Sequence, residues 1–90
     1  MNDIDIRMAI RHYITTHFPL AGRQTSVADS ESLFASGIVD SLGVLDLVTF
    51  IEDAFGVIVA DEDLLADNFE TIDRVAAFVQ AKQRHPVLVS

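Results

Sequence analysis

The sequence predicts an all-α fold, a four-helix bundle made of three main helices and one short helix, with a long first loop. Three observations predict it. Apolar residues recur at spacings of three and four in three separate segments. Those segments are bounded by residues that start or stop helices. The one β-branched run, Val57-Ile58-Val59, has no partner run with which to pair, and reads as a buried extended connection.

The first helix runs from Asp3 to about His17. Ile6, Ile10, Tyr13 and Ile14 share a face, and Asp3 and Asp5 sit at the end where the helix dipole favours negative charge. Pro19 and Gly22 end it. Leu20 to Asp40 is a long connection, a length that is usually functional in a compact domain. Leu33, Phe34, Ile38 and Val39 are apolar anchors that pin it to the core, with a short turn at Glu31 to Ala35.

The clearest helix is Ser41 to Phe55. Leu45, Val48, Ile51 and Phe55 line one face, with Leu47 and Ala54 beside them. Asp40 or Ser41 caps its start, since a short side-chain oxygen accepts from a free backbone N–H. Gly56 is a natural stop. Gly43 in the first turn costs up to about 1 kcal/mol against Ala, so a loose helix start is expected. Asp61 to Asp67 reads as the short helix. Thr71 caps the last one, Ile72 to about Arg84, with Ile72, Val75, Ala76 and Val79 inward and Lys82 and Arg84 at its negative end.

Ninety residues make one small domain, 1–90, with an ordered core over about 4–84 and a flexible tail at 85–90. With half of its residues hydrophobic, the chain is too apolar to be disordered. The absence of cysteine excludes disulfides and thiolate metal sites. There is no apolar run of membrane-spanning length, and Met1-Asn2-Asp3-Ile4-Asp5 lacks the features of a signal peptide, so a cytoplasmic protein is expected. The formal net charge is −8. No Lys or Arg lies between Arg23 and Arg74, where twelve of the fourteen acidic residues fall. A solvated acidic surface accounts for this, and so does a docking face for basic partners. Nucleic acid is disfavoured, because phosphate binding needs clustered Lys and Arg.

Enzymatic signatures are missing. His12, His17 and His85 are not arranged with a Ser and an Asp in any recognisable order. Asp61-Glu62-Asp63 lacks the central glycine and closing glutamate of a calcium loop and reads as an acidic helix start, so no metal site is expected. Gly37 and Gly43 do not form a phosphate loop. Asp40-Ser41-Leu42 stands apart. From position alone Ser41 is a helix cap, yet an exposed hydroxyl at a helix N-terminus also suits a tethered phosphate, which meets free N–H groups and the positive end of the dipole there.

Leu33-Phe34-x-x-Gly37-Ile38-Val39-Asp40-Ser41-Leu42, followed by Leu45-x-Leu47-Val48-x-x-Ile51-Glu52-x-x-Phe55-Gly56-Val57, resembles the phosphopantetheine-binding acyl and peptidyl carrier proteins. Asp61-Glu62-Asp63-Leu64 and Phe69-x-Thr71-Ile72 through Val79 continue the match, which covers about residues 4–84. The resemblance implies the acyl-carrier-like bundle and a 4′-phosphopantetheine arm on Ser41. It also implies a non-catalytic role, holding an acyl or aminoacyl group as a thioester. The implied partners are a phosphopantetheinyl transferase, an adenylating acyl- or aminoacyl-ligase and downstream acyl-accepting enzymes, met by a monomer. Asp40, Leu42, Val44, Asp46, Thr49, Glu52 and Asp53 on or beside the central helix are the candidate docking residues.

Fatty-acid carriers commonly read Gly-Ala-Asp-Ser-Leu-Asp, with an acid where this chain has Gly43. The Phe-x-x-Gly-Ile-Val-Asp-Ser form looks more like stand-alone peptidyl, aminoacyl or D-alanyl carriers. An aminoacyl or related secondary-metabolite cargo is therefore expected. The alternatives are a fatty-acid or polyketide carrier, a helical interaction module that is never loaded, and a small hydrolase using Ser41 with a nearby histidine.

Overall fold

The computed structural model describes residues 2–18 and 27–84. The expectations placed on Pro19, Gly22 and the tail from His85 onward fall outside the described residues. Among the described residues four α-helices appear in chain order: α1 (Asp3–His17), α2 (Ser41–Phe55), α3 (Ala66–Phe69) and α4 (Ile72–Arg84). There is no strand among the described residues.

Helix α1 starts on Asn2, whose side chain accepts the Asp5 N–H at 2.9 Å. Its Ile6, Ile10 and Ile14 are wholly buried, each contributing about 1.5–3 kcal/mol through burial. They pack against α4, where Ile72, Val75, Ala76 and Val79 are buried as their spacing requires. Thr71 caps α4 by accepting the Arg74 N–H at 3.0 Å. Phe78 joins the core and packs at a tilt on Phe69 of α3, ring centres 5.5 Å apart.

The loop ahead of α2 is tied down. Leu33, Ile38 and Val39 are buried and Phe34 is half-buried against the core. The turn between them closes through Ser36 N–H to Ser32 carbonyl at 3.1 Å and Gly37 N–H to Phe34 carbonyl at 3.0 Å. Gly37 takes φ 77°, a conformation that side chains with a Cβ resist. Two backbone hydrogen bonds fasten the loop to the start of α4: Leu33 N–H to Glu70 carbonyl at 2.7 Å, and Asp73 N–H to Asp29 carbonyl at 3.0 Å. Arg7 adds a side-chain clamp by binding Asp3, Asp29 and Asp73 together, and Asp73, then Asp3, holds its guanidinium above its usual pKa.

Several expectations change. On α2 the buried row is Gly43, Leu47 and Ile51, while Leu45 is 55% exposed. The residues three and four places from Leu47 are Gly43, Val44, Phe50 and Ile51, whereas Leu45 has Ser41 and Thr49 four places to either side, so the full helical wheel puts Leu47 inward and Leu45 on the polar face. Gly43 lies in that buried row, and its missing side chain admits the Phe18 ring from the end of α1. The α2 start is not loose, since Asp40, rather than Ser41, caps it by accepting the Gly43 N–H at 2.7 Å. Gly56 ends α2 at φ 67°, as expected. In the connection after it Val57 is buried but Ile58 is 64% exposed, the alternation of an extended chain packed on one side. The Asp61 to Asp67 segment does not form one helix. A single 3-10 turn at Asp61–Asp63 is separated from α3 by Leu64 and Leu65, and Leu65 is extended. Asp63 closes the turn on itself, its carboxylate accepting the Ala60 N–H at 3.0 Å and pairing with Lys82 of α4, while its carbonyl accepts from the Asn68 side chain of α3 at 2.8 Å.

Candidate functional site at the start of the central helix

Ser41 is the first residue of α2 and is exposed. The chain places it there because Asp40, extended at φ −106° and ψ −176°, turns into the helix and takes the Gly43 N–H with its side chain and the Val44 N–H with its carbonyl. Among the described residues nothing accepts from the N–H groups of Ser41 and Leu42. Such free donors and the dipole make a helix start favourable for a phosphate.

Ser41 also opens onto a cavity of about 250 Å³ lined by Phe34, Val44, Leu64, Leu65, Ala66 and Phe69. Its walls come from three places: the pinned first loop, the first turn of α2, and the segment from the 3-10 turn through α3. Apart from Ser41 its lining is apolar. Leu42, Leu45, Leu64 and Leu65 remain exposed on the described surface. An exposed hydroxyl, free N–H donors and an adjoining apolar groove fit a phosphate-linked arm whose far end carries a less polar group.

A family model described as a phosphopantetheine attachment site matches residues 20–79. The chain belongs to this phosphopantetheine-binding carrier family. It is similar to a probable acyl carrier protein, PigG, of Serratia sp. (strain ATCC 39006), being 32% identical over 75 residues that cover 83% of this chain and 85% of that protein. As a member of the family it has 4′-phosphopantetheine as its prosthetic group. Carriers of this kind are non-catalytic and work with a phosphopantetheinyl transferase and acyl-handling enzymes. No helix among the described residues is long and apolar enough to cross a membrane.

The carrier's other candidate residues fall into two groups. Leu42, at 74% exposure, projects from the first turn, and Asp46, Thr49 and Asp53 are exposed farther along α2. Val44 and Glu52 are more committed. Val44 is half-buried, packs on the core and lines the groove beside Ser41. Glu52 accepts the Val59 N–H at 3.0 Å and so holds the connection after α2 against the helix. Asp40 is the cap.

His12 and His17 are exposed on α1, while His85 lies outside the described residues. His17 stacks on Tyr13 at 4.3 Å, and Tyr13 stacks on Phe50 at 4.2 Å. With Asp46, Thr49 and Asp53 they surround a second surface hollow, whose lining does not include Ser41. Burial, then the nearby Asp46 charge, raises the Tyr13 phenol above its ordinary pKa and keeps it neutral. No group of three or more His, Asp or Glu is placed to hold a metal among the described residues. Sequence reasoning missed Leu65, Ala66 and Phe69 as groove walls and Phe18 as a packing residue. The two adjacent leucines after an acidic turn were the available signal for the groove.

Proposed function

We propose that Ser41 is the attachment point of the arm and that the domain presents an acyl or aminoacyl thioester to partner enzymes. The observation that carries this is the placement of Ser41 as the exposed first residue of α2, opening on an apolar groove. In attachment the Ser41 hydroxyl oxygen attacks the phosphorus that bears pantetheine in coenzyme A. The Oγ–P bond forms, the bond to adenosine 3′,5′-bisphosphate breaks, and the hydroxyl proton passes to a base of the transferase. When bound, the arm supplies a thiol for thioester formation. The chain's own residues hold the attachment point: Asp40 fixes the turn, and Phe34, Val44 and Leu65 offer an apolar wall to what is attached.

The Phe34-x-x-Gly37-Ile38-Val39-Asp40-Ser41 form supports an aminoacyl or secondary-metabolite cargo, with an adenylating ligase as the loading enzyme. Gly43 no longer adds to that argument, because its packing against Phe18 calls for glycine whatever the cargo. The exposed Leu42, Asp46, Thr49 and Asp53 are the proposed partner contacts, with the acidic residues steering basic partner surfaces by charge.

Incubation with a phosphopantetheinyl transferase and coenzyme A tests the reading. Intact mass is expected to rise by one arm in the wild type and not in Ser41→Ala. No mass gain with several transferases, or a gain that survives Ser41→Ala, would refute it. An unmodified serine in protein made alongside its native transferase would favour an interaction module that is never loaded. Loading assays with adenylating ligases, amino acids and short acids would then read the cargo.

A further inference from the structure

Phe18 is the residue that follows α1 and its backbone N–H still bonds to the Ile14 carbonyl at 3.1 Å. Its ring is only 9% exposed. It meets the Tyr13 ring edge-on, with centres 5.9 Å apart. Tyr13 is itself stacked on Phe50 of α2 and donates its hydroxyl to the Asp46 carbonyl at 3.2 Å. The ring of Phe18 therefore belongs to an aromatic group anchored on both helices, and it is not free to swing aside.

Its other contact is with Gly43. A Cβ built on Gly43 would stand 2.7 Å from Phe18 Cε1 and 3.2 Å from Asp40 Oδ1. The first distance is far inside van der Waals contact. Position 43 is thus squeezed between the aromatic ring and the carboxylate that caps the helix. The same residue donates the capping hydrogen bond to Asp40. Asp40, Gly43 and Phe18 together define the first turn of α2, and Ser41 rides on that turn.

We propose that Phe18 is a positioning residue for arm attachment: its ring, seated on the bare Cα of Gly43, holds the first turn of α2 in the form in which Ser41 is presented to the transferase. The proposal rests on the Ser41 reading above. Phe18 touches neither coenzyme A nor the reacting atoms; it acts through Gly43 and the Asp40 cap. One side of the first turn is closed by Phe18, while the side toward Val44, Leu65 and Ala66 stays open as the groove. The clamp thereby separates a fixed flank from an accessible one.

The test compares wild type, Gly43→Ala, Phe18→Leu and the Gly43→Ala/Phe18→Leu double variant, each as the full chain. Initial rates of arm attachment are measured by intact mass over a range of carrier concentrations, with thermal melts alongside. Displacement of a reacting group by a fraction of an ångström costs rate rather than affinity, so Gly43→Ala is expected to lower kcat by about tenfold with KM little changed. Phe18→Leu, which leaves the turn unclamped but adds no clash, is expected to lower kcat several-fold. The double variant, where the smaller side chain makes room for the methyl group, is expected to recover part of the Gly43→Ala loss.

Folded Gly43→Ala and Phe18→Leu proteins that load at the wild-type kcat would overturn the proposal. So would a rate loss that follows the melting temperature across all variants and is not recovered in the double variant, because that describes general destabilisation. If Gly43→Ala does not fold, Phe18→Leu decides alone: an unchanged kcat rejects the clamp and a lowered kcat at unchanged KM supports it. A wild-type chain that takes no arm removes the Ser41 reading itself and the proposal with it, and Ser41→Ala identifies that case.

Discussion

Leu33 and Glu70 are joined backbone to backbone, the Leu33 N–H donating to the Glu70 carbonyl over 2.7 Å. That bond ties the loop leading into α2 to the residue just before the last helix. Leu33 is wholly buried beside Ile38 and Val39, and its own carbonyl accepts the Val39 N–H at 3.0 Å. The chain that delivers Asp40 and Ser41 is therefore held from both the core and α4. A well-fixed Ser41, the proposed attachment point, suits a carrier, whose partners must find the same surface each time.

The orientation of α2 is tested by a pair of leucines two residues apart. Leu47 is wholly buried and Leu45 is 55% exposed. Leu47→Ala is expected to lower unfolding free energy by about 2–5 kcal/mol through lost burial and a cavity. Leu45→Ala is expected to change it by no more than about 0.5 kcal/mol. Denaturant titration of both variants gives the answer, and equal losses would mean the helix faces the core differently.

Asp40 is expected to matter first as a cap. Asp40→Ala removes the acceptor for the Gly43 N–H and should cost about 1 kcal/mol, whereas Asp40→Asn keeps an acceptor oxygen and should cost much less. Thermal melts of the two variants at neutral pH distinguish the cap from any effect of charge alone.

Arg7 gathers Asp3, Asp29 and Asp73 from α1, the first loop and α4. Partly exposed ion pairs contribute up to about 1 kcal/mol each, so Arg7→Met, which keeps much of the side chain's bulk, is expected to cost about 1–2 kcal/mol. It also leaves Asp3 and Asp73 without this partner, while Asp29 keeps its pairing with Arg11, in a chain already at −8. Because salt screens both effects, the gap from wild type should narrow in molar salt. Stability measured at low and high salt checks this, and a gap independent of salt would point to lost packing instead.

Asp63 links pH to the turn that leads into the groove-lining Leu64 and Leu65. Its hydrogen bond with Lys82 lowers its pKa from the ordinary 3.8, with burial opposing and the Ala60 N–H assisting. A carboxylate with a lowered folded pKa binds fewer protons than it does in the unfolded chain. Its contribution is therefore complete above the ordinary value and is lost as pH falls through the lower folded value. Asp63→Asn keeps an acceptor for Ala60 but not the charge. Melts of wild type and Asp63→Asn should differ at neutral pH and converge in acid, and carboxylate titration by NMR should place Asp63 below its free value.

Local patterning was enough for much of this protein. Ile6, Ile10 and Ile14, and Ile72, Val75, Ala76 and Val79, were legible as buried rows because helical spacing leaves little choice when one face is apolar and the other polar. Gly56 was legible as a stop, Thr71 as a cap and Asp40-Ser41-Leu42 as a special helix start, since caps depend on neighbouring backbone groups. Tertiary structure decided the rest. On α2 the polar residues Ser41, Asp46, Thr49, Glu52 and Asp53 share a side with Leu45, so a full wheel puts Leu47 inward; what the tertiary structure alone reveals there is Phe18, arriving from the end of α1 onto Gly43. The groove could not be read either, because Phe34, Ser41, Leu65 and Phe69 meet only after the loop is fastened to Glu70 and the acidic turn to Lys82. Spacing along a chain reports which residues share a face, while contacts between distant segments determine which face is covered and what lies beside Ser41.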